Sequence, residues 1–552
     1  MNKLKLVAGA FFILFLIIII KLFYLQVLSP FSVSQNNYLQ SNIIEPNRGK
    51  IFDRFGSPLA TNQTRYLLYI QPKLVADKDN LVHSLDSVLS LGEATLSGLI
   101  DMNKTWVAVK TIDKNTKQKL SGLGLKGIGF QDETARSYPE ASLAAHLLGF
   151  VGKDYQGNNI GYFGVEGFYN QDLTGLPGIF KTERDILNQP ILFGTQEKLN
   201  PQDGRNLYLS LDKSVQTIAK SELQKGLETY KAQSGCIIVA DPNTVQILAL
   251  TCLPDFDVSK YYLFSENFFK DPAISDTYEP GSIFKPLVMA AAIQENKISP
   301  EDLYDENGPV KIGNYQIKTW DNTYEGKITM TRILEKSSNT GMVYVGSKLG
   351  SDLLYQYLQK YGFGQPTGID LQGEVGGYLR PKDQWYPIDF ATVTFGQGIA
   401  VTPIQMIRAF SAVINGGKLM KPYVVQKISS GNETIQIQPK VEKQVISQLT
   451  SDILKKMLVS AVEHGEVKWA RPAGYVIGGK TGTAQIPIQG HYDPSKTIAS
   501  FIGFAPADNP KFIALVMLRE PKTSPWGSET AAPMFFDIAK QLLVYYNIPP
   551  EQ

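Results

Sequence analysis

The chain has 552 residues, which is too long for one ordinary domain and leaves room for large hydrophobic cores. Hydrophobic residues make up 43% of it and charged residues 19%, proportions typical of a globular protein and not of a disordered one. Its 54 basic and 52 acidic residues leave a net charge of +2 without a long basic run, so we expect no nucleic-acid partner.

An apolar run at the N-terminus predicts a transmembrane helix. It extends from Leu6 to Leu25, reads LVAGAFFILFLIIIIKLFYL and carries one charge, Lys21, which suits a bilayer core of about 30 Å. Lys3 and Lys5 precede the run, so the positive-inside rule keeps the N-terminus in the cytoplasm and the rest of the chain outside. No small-residue cleavage pattern follows. We therefore expect a single-pass anchor in the cytoplasmic membrane and not a cleaved signal peptide.

Composition predicts four segments along the chain. Residues 1–28 hold the cytoplasmic tip and the anchor, and residues 29–46 are a polar stalk rich in Ser and Asn. Residues 47–205 have mixed helix and strand patterning, with a turn signal at Asp53–Gly56, and lack a nucleophile–base pair. We expect an architectural role for them. Residues 206–552 form the last predicted domain.

The pattern of residues 206–552 predicts one mixed sheet covered by helices. We expect a strand at NLYLSLD, an amphipathic helix at KSVQTIAKSELQKGLETYK, and a hairpin at CIIVADPNTVQILALTC. Three runs near the end predict an antiparallel meander: YVIGGKTGTAQI, IASFIGFAP and KFIALVMLRE. A closing helix is predicted at APMFFDIAKQLLVYY, close to Gln552, so we expect no appended C-terminal repeat domains. The predicted fold class is α+β.

The two cysteines, Cys236 and Cys252, flank the predicted hairpin and could lie opposite each other. A disulfide is one outcome, but we favour two buried free thiols, since free cysteine is among the most buried residue types. With two cysteines only, the part outside the membrane is not built on disulfides. The four histidines match no metal-ligand spacing: His83, His146, His464 and His491.

The stretch YEPGSIFKP places Ser282 three residues before Lys285. If a helix begins at about Ser282, the two side chains share a face and the amine can reach the hydroxyl. Serine is a weak nucleophile until a base takes its proton, and lysine becomes such a base only when burial or a second cation lowers its pKa. By itself the motif is more often a solvated helix start, and the same spacing recurs at Ser210 and Lys213.

Two further motifs follow. Ser337 and Asn339 begin an apolar helical run, where a hydroxyl and a carboxamide can point into one cleft, although a helix cap is the alternative. The chain has one Lys-Thr-Gly, at 480–482, on the first strand of the predicted meander. An edge-strand lysine often guards against aggregation. The nearby glycines, however, would let a ligand approach, and a strand edge can hold an extended peptide.

In this order, Ser-x-x-Lys, Ser-x-Asn and Lys-Thr-Gly resemble the motifs of the penicillin-binding proteins and class A β-lactamases. The middle motif reads Ser-Ser-Asn and not Ser-Asp-Asn, which favours the penicillin-binding proteins. Segments similar to class B penicillin-binding proteins cover essentially the whole chain after the anchor: RGKIFDRFGSPLA, GVEGFYNQDLTGLPG, TFGQGIAVTPIQ and ASFIGFAPADNPKF. One departure is Val245, where that family usually has glycine.

The resemblance implies an elongated α+β pedestal or dimerisation module over residues 47–205 and a penicillin-recognising transpeptidase domain over residues 206–552. It implies a peptidoglycan D,D-transpeptidase that cross-links stem peptides through a serine acyl-enzyme and is inhibited by β-lactams. Septal synthesis is the favoured role and elongation the alternative; a β-lactamase, a D,D-carboxypeptidase and a non-enzymatic β-lactam sensor are further alternatives. The implied partners are a multi-pass membrane glycosyltransferase and divisome or elongasome proteins, and a homodimer stays open. No metal or organic cofactor is implied.

The resemblance also implies roles for single residues. Ser282 would be the nucleophile, Lys285 its base, Ser337 a proton relay to the leaving amine, and Asn339 a partner of Lys285 and of the substrate backbone. Lys480 would help to keep Lys285 neutral and supply positive charge.

Substrate binding is implied for the strand that follows Lys480. Thr481 and Thr483 would grip the terminal carboxylate of the substrate, with Gly482 between them. The backbone N–H groups of Ser282 and Thr483 would form the oxyanion hole.

Overall fold

The structure, a computed structural model, describes residues 2–28, 39–183, 196–488 and 491–550. The α-helices of these residues are α1 (Asn2–Phe23), α2 (Lys78–Leu89), α3 (Glu93–Leu99), α4 (Lys114–Gly122), α5 (Ala145–Leu148), α6 (Gly164–Phe168), α7 (Asn170–Thr174), α8 (Lys213–Tyr230), α9 (Pro272–Ser275), α10 (Lys285–Gln294), α11 (Met330–Glu335), α12 (Asn339–Leu349), α13 (Ser351–Lys360), α14 (Pro387–Val393), α15 (Pro403–Ile414), α16 (Gln448–His464) and α17 (Ala531–Tyr545).

The strands of the same residues are β1 (Leu39–Ile44), β2 (Ile51–Phe52), β3 (Pro58–Ile70), β4 (Val107–Ile112), β5 (Ile128–Ser137), β6 (Phe150–Lys153), β7 (Asn159–Tyr162), β8 (Gly178–Glu183), β9 (Gln196–Leu199), β10 (Asn206–Leu209), β11 (Ser234–Ala240), β12 (Ile247–Leu253), β13 (Leu303–Glu306), β14 (Val310–Ile312), β15 (Tyr315–Ile317), β16 (Gly326–Thr329), β17 (Lys418–Met420), β18 (Val425–Ser430), β19 (Glu433–Gln436), β20 (Val441–Gln444), β21 (Gly478–Ile488), β22 (His491–Ala505) and β23 (Phe512–Arg519). Shorter helical turns include a 3-10 helix at Gly281–Phe284 and a π-helix at Tyr24–Leu28.

The predicted apolar helix at the N-terminus is present as α1. Its stretch Lys5–Phe23 has a mean hydropathy of 2.9 and buries none of its surface in the protein. In the described ranges it is the one helix that is long and apolar enough to cross a membrane.

The chain folds into two compact units. The first unit consists of Met1–Arg48 and Thr174–Gly204, and it contains a three-stranded antiparallel sheet in the order β1-β8-β9. Strand β1 falls in the predicted stalk, of which residues 29–38 lie outside the described residues. The second unit consists of Gly49–Leu173 and Arg205–Gln552.

One sheet of the second unit runs in the order β19-β18-β10-β2-β3-β4, with β5 also paired to β3. The predicted turn between β2 and β3 is confirmed, because the Asp53 carboxylate accepts hydrogen bonds from the backbone N–H groups of Phe55 (2.9 Å) and Ser57 (2.7 Å). Such an Asx turn is what an aspartate at the start of a tight connection provides. Helices α2 to α4 cover β3, β4 and β5 around a small core that includes Leu68 and Leu85.

The second sheet is the scaffold of the candidate site. Its order β12-β11-β23-β22-β21 is antiparallel throughout, as the predicted hairpin and meander require. One face packs on the amphipathic helices α8 and α17, and the other face packs on a larger core that contains α10 and α15. The α+β class and the helix-covered sheet with its antiparallel meander are therefore confirmed, whereas the expectation of a mixed sheet is wrong, because every pairing in it is antiparallel. Strand β21, which carries Lys-Thr-Gly, lies at the sheet edge.

The favoured expectation of two free thiols is wrong. The register of β11 and β12 sets Cys236 directly opposite Cys252, with a Cα–Cα distance of 4.1 Å, and the two form a disulfide. The hairpin explains the pair physically. Residues that face each other on antiparallel strands have Cα atoms about 4.5–5.5 Å apart, a separation that a disulfide can bridge.

Val245, the departure noted in the sequence, lies in the turn of the same hairpin with a φ of +55°. A positive φ of this size favours glycine, because glycine has no Cβ that would clash with the backbone. The valine side chain is fully buried there.

Candidate active site

The Ser282 hydroxyl lies in a tight turn directly before α10. A 3-10 helix over Gly281–Phe284 runs into α10 at Lys285, so the predicted helix start near Ser282 is confirmed. Gly281 has a φ of +59° and donates its N–H to the Gly396 carbonyl at 2.9 Å. Ser282 is half-buried, whereas its neighbours Ile283 and Phe284 are fully buried and fix the turn in the core.

The Lys285 side chain is completely buried at the start of α10. Its amine donates to the Ser337 carbonyl oxygen, to Ser337 Oγ (3.2 Å) and to Asn339 Oδ1 (2.9 Å). These acceptors are all neutral. In the described part of the chain no hydrogen bond joins Ser282 to Lys285, a contact that in catalytic pairs often tightens only with substrate.

The surroundings hold the pKa of Lys285 well below its usual value of 10.5. Burial is the largest cause, because a charged amine loses its hydration there, and the positive charge of Lys480 acts in the same direction. The carboxylates of Glu466 and Glu306 oppose the shift. A lowered pKa increases the share of the neutral amine, whose free lone pair a general base requires.

The Ser337–Asn339 segment is a strained connection between α11 and α12. Ser337 has a φ of +59°, which is uncommon for a residue other than glycine. The alternative of a helix cap applies to the residue between the two predicted ones: Ser338 is the N-cap of α12 and accepts the N–H of Gly341 at 2.9 Å. Ser337 and Asn339 are left to contact Lys285.

A buried carboxylate holds this segment from beneath. Glu306, fully buried at the end of β13, accepts hydrogen bonds from Lys336 Nζ (3.0 Å), Thr340 Oγ1 (3.0 Å) and Ser338 Oγ. These bonds fix the backbone on both sides of Ser337 and so fix the two side chains that contact Lys285.

The edge strand β21 presents a short chain of polar contacts. The buried Lys480 amine donates to Thr481 Oγ1 at 2.9 Å, and Thr481 Oγ1 donates to Glu466 Oε2 at 2.8 Å. Burial lowers the pKa of Lys480 and Glu466 opposes the effect. Further along the strand, Thr483 Oγ1 accepts the N–H of Gly527 at 3.0 Å.

Gly482 allows β21 to lie against the nucleophile turn. A Cβ at this position would come within 2.4 Å of Ser500 Oγ, 2.9 Å of Ile283 Cγ2 and 3.3 Å of the Pro280 carbonyl oxygen. A side chain would therefore push the strand away from the turn that holds Ser282.

One cavity of about 140 Å³ joins the three motifs, and its lining includes Ser282, Ser337, Asn339, Thr481 and Thr483. The remaining predicted residues stand directly behind this lining: Lys285, Lys480 and Gly482. The structure thus brings all eight predicted site residues together.

Several residues at the cavity escaped the sequence analysis: Trp320, Phe395, Gln397, Glu466, Trp526, Ser528 and Glu529. Phe395 and Gln397 belong to the TFGQG segment, which was compared with the family but given no role. The Trp320 and Trp526 rings meet edge to face at 5.2 Å. No sequence signal marked Glu466 or the supporting Glu306. Within the described ranges, no group of three or more His, Cys, Asp or Glu could hold a metal ion.

Two family models match the chain. The penicillin-binding protein transpeptidase domain matches residues 235–540, and the penicillin-binding protein dimerisation domain matches residues 43–209. The first match contains all eight residues around the cavity.

Relatives and solved structures agree with these matches. Stage V sporulation protein D of Bacillus subtilis is 34% identical over 98% of this chain and 85% of its own. Peptidoglycan D,D-transpeptidase FtsI of Escherichia coli is 29% identical over 96% of this chain and 89% of its own. Penicillin-binding protein 2X of Streptococcus thermophilus superposes with a TM-score of 0.76 at 25% identity, covering 92% of this chain and 80% of its own. The chain therefore belongs to the class B penicillin-binding proteins and is a peptidoglycan D,D-transpeptidase.

Proposed function

We propose that this transpeptidase works through an acyl-enzyme on Ser282. The Ser282 oxygen attacks the carbonyl carbon between the two terminal D-alanines of a stem peptide and passes its proton to neutral Lys285. The C–N bond breaks, Ser337 relays a proton to the leaving amine, and D-alanine departs. An amine of a neighbouring peptide then attacks the ester, and the Ser282 oxygen regains a proton. The observation that carries this proposal is the buried Lys285, held by neutral acceptors beside Ser337.

The β21 part of the cavity lining binds the donor peptide. Thr481 and Thr483 grip its terminal carboxylate, and Lys480 supplies positive charge behind them. The N–H groups of Ser282 and Thr483 receive the developing oxyanion, where each donor contributes roughly 3 kcal/mol. The close approach of the two segments supports this pairing: a Cβ on Gly281 would lie 3.2 Å from the Thr483 carbonyl oxygen.

Labelling with a fluorescent penicillin tests the nucleophile. A β-lactam imitates the donor and acylates the same serine, so Ser282→Ala should abolish labelling while thermal unfolding stays near that of the wild type. Ser210→Ala is the matched control, because Ser210 has the same spacing to a lysine but donates to the Ile247 carbonyl at 2.7 Å. Labelling of the Ser282→Ala protein at the wild-type level would remove Ser282 from its role.

Slow deacylation separates a transpeptidase from the hydrolytic alternatives. We expect each enzyme molecule to consume one molecule of a chromogenic β-lactam and then to remain acylated. Sustained turnover would favour a β-lactamase or a D,D-carboxypeptidase.

We further infer that α1 anchors the chain with its N-terminus in the cytoplasm and the catalytic part outside, on the strength of its hydropathy and the flanking Lys3 and Lys5. Protease added to intact spheroplasts should then remove the catalytic part. The partners follow from the family: peptidoglycan stem peptides, β-lactams, and a multi-pass glycosyltransferase of the divisome or elongasome. A homodimer is testable by crosslinking.

Septal synthesis is the favoured cellular role, with elongation as the alternative. The name of the Bacillus subtilis relative, a stage V sporulation protein, adds a role in sporulation as a third candidate. A fluorescent fusion would separate the three by its position at midcell, along the side wall or around a forespore.

The domain limits 29–46, 47–205 and 206–552 remain a proposal. The end of the dimerisation match at residue 209 supports a boundary near residue 206. Limited proteolysis should release a penicillin-binding fragment that begins close to that position.

A further inference from the structure

The Glu466 carboxylate is a negative charge inside the cavity, at the end where the proposed function binds a substrate carboxylate. Glu466 follows α16, is half-buried and lines the same cavity as Ser282. Its Oε2 accepts the proton of Thr481 Oγ1 at 2.8 Å. No step of the proposed reaction uses this residue.

The hydrogen-bonding capacity of Thr481 makes this contact consequential. A threonine hydroxyl has one proton to donate. In this structure Thr481 gives that proton to Glu466, and its oxygen accepts from Lys480 Nζ at 2.9 Å. A carboxylate accepts hydrogen bonds only, so it cannot bind Thr481 until the hydroxyl turns away from Glu466. Thr483 differs, because its oxygen accepts from Gly527 and that bond leaves its own proton unused.

We propose that Glu466 is an internal competitor for the carboxylate end of the cavity and thereby reduces the preference of this enzyme for ligands with a free carboxylate over uncharged ligands. The inference rests on the proposed function, in which Thr481 and Thr483 grip the donor carboxylate. A free-carboxylate ligand must displace Glu466 from Thr481 and then lie near a like charge, whereas an uncharged ligand has neither requirement. Glu466 is a specificity-determining residue in this account and does not touch the reacting atoms.

The Glu466 carboxylate also has a second effect, which does not depend on the charge of the ligand. The test must separate this effect from the competition at Thr481. The carboxylate opposes the lowering of the pKa of Lys285 and of Lys480, so its removal would leave more neutral Lys285 and speed acylation by any ligand. Competition at Thr481, in contrast, acts only on ligands that carry the negative charge. The ratio of acylation rates for a charged and an uncharged ligand therefore isolates the competition.

The test measures second-order acylation rate constants for a fluorescent penicillin and for its uncharged methyl ester. We expect Glu466→Ala to accelerate the free carboxylate about tenfold and the ester less than about threefold, as the loss of one nearby like charge implies. Glu466→Gln keeps an acceptor oxygen for Thr481 without the charge and should give an intermediate ratio. Because it is nearly isosteric, it also serves if the alanine variant folds poorly.

Glu463→Gln is the matched control. Glu463 lies three residues earlier on α16, pairs with Arg471 at 3.2 Å and is not among the residues of the cavity wall. Its loss removes the same charge from the same region and should leave the ratio unchanged.

Two results would overturn the inference. An unchanged ratio in Glu466→Gln and Glu466→Ala would show that the carboxylate does not compete. A slower reaction of the free carboxylate would show that Glu466 instead orients Thr481 for the substrate. Either result would leave the proposed function standing as long as labelling still depends on Ser282, whereas labelling that survives Ser282→Ala would refute that function by itself.

Discussion

Two lysines are buried on either side of the Ser337–Asn339 segment, and their surroundings differ in one respect. Lys285 is fully buried against the cavity and donates only to neutral oxygens of Ser337 and Asn339. Lys336, at 7% exposure, donates to the Glu306 carboxylate at 3.0 Å and to the Thr323 carbonyl at 2.9 Å. Both amines are withdrawn from water, but only Lys336 contacts an opposite charge.

In the proposed mechanism, this difference decides which of the two buried lysines can act as the base. A buried ammonium ion is costly unless a carboxylate compensates its charge. Glu306, at 3.0 Å, and Glu325, at 3.7 Å, supply that compensation to Lys336. Lys285 lacks it and has a second cation nearby, Lys480, so its pKa is held well below the usual value.

The largest expected effect is that of Lys285→Arg. A guanidinium keeps the positive charge and the donors but cannot give up a proton in a protein, so it cannot serve as a base. We expect acylation by a fluorescent penicillin to fall at least about 1,000-fold, within the range that general base catalysis contributes. A variant that reacts within tenfold of the wild type would assign the base to another group.

The next largest effect is on the free energy of unfolding and concerns the ion pair of Lys336 with Glu306. Glu306→Gln removes the nearer of two carboxylates and leaves Glu325, at 3.7 Å, beside the buried Lys336 ammonium, so the free energy of unfolding in urea should drop by up to about 3–5 kcal/mol. The double variant Glu306→Gln, Lys336→Met removes both charges and should recover most of that loss. If the double variant is no more stable than Glu306→Gln, charge compensation is not what holds this pair.

The motif residues of the candidate site could be predicted from the sequence, and so could the elements with a strong hydrophobic period. Ser282, Lys285, Ser337, Asn339 and Lys480 could be found because three short motifs occur in a fixed order. The fold around them could be predicted where the hydrophobic period is strong, as in α8, α17 and the meander of β21 to β23.

Residues that act through tertiary contacts could not be found in this way. Glu306 and Glu466 carry no local signal, because each acquires its role from elements that meet only in the folded chain. The Cys236–Cys252 disulfide depends on the register of one hairpin, and a shift by one residue would separate the two thiols. Val245 shows the same limit in the backbone, since its positive φ follows from the turn geometry and opposes the preference of a β-branched residue.

A smaller effect concerns the pH dependence of acylation. The proposed mechanism requires neutral Lys285, so the acylation rate should rise with pH through the lowered pKa of this residue and level off well below pH 10.5. Lys480→Gln removes a cation that favours the neutral amine, so it should move the rising limb to higher pH. Glu466→Gln removes an anion and should move it to lower pH.

The shape of the profile is the readout here, since Lys480→Gln also lowers the absolute rate by weakening the hold on the donor carboxylate. Acylation rate constants between pH 5 and 9 would suffice. Shifts of equal sign in both variants would mean that at least one of the two charges does not act on Lys285 through space.

The smallest effect is expected for Lys336→Arg, the same substitution that should inactivate the enzyme at Lys285. The guanidinium retains the charge and can pair with Glu306, so the support of the Ser337–Asn339 segment persists. Its larger volume should cost about 1–3 kcal/mol of stability in a packed site, but acylation should stay within about threefold, because Lys336 never needs to lose its proton. A large loss of acylation in a folded Lys336→Arg protein would mean that Lys336 also has to exchange a proton. The presence or absence of a nearby carboxylate would then no longer explain which lysine is the base.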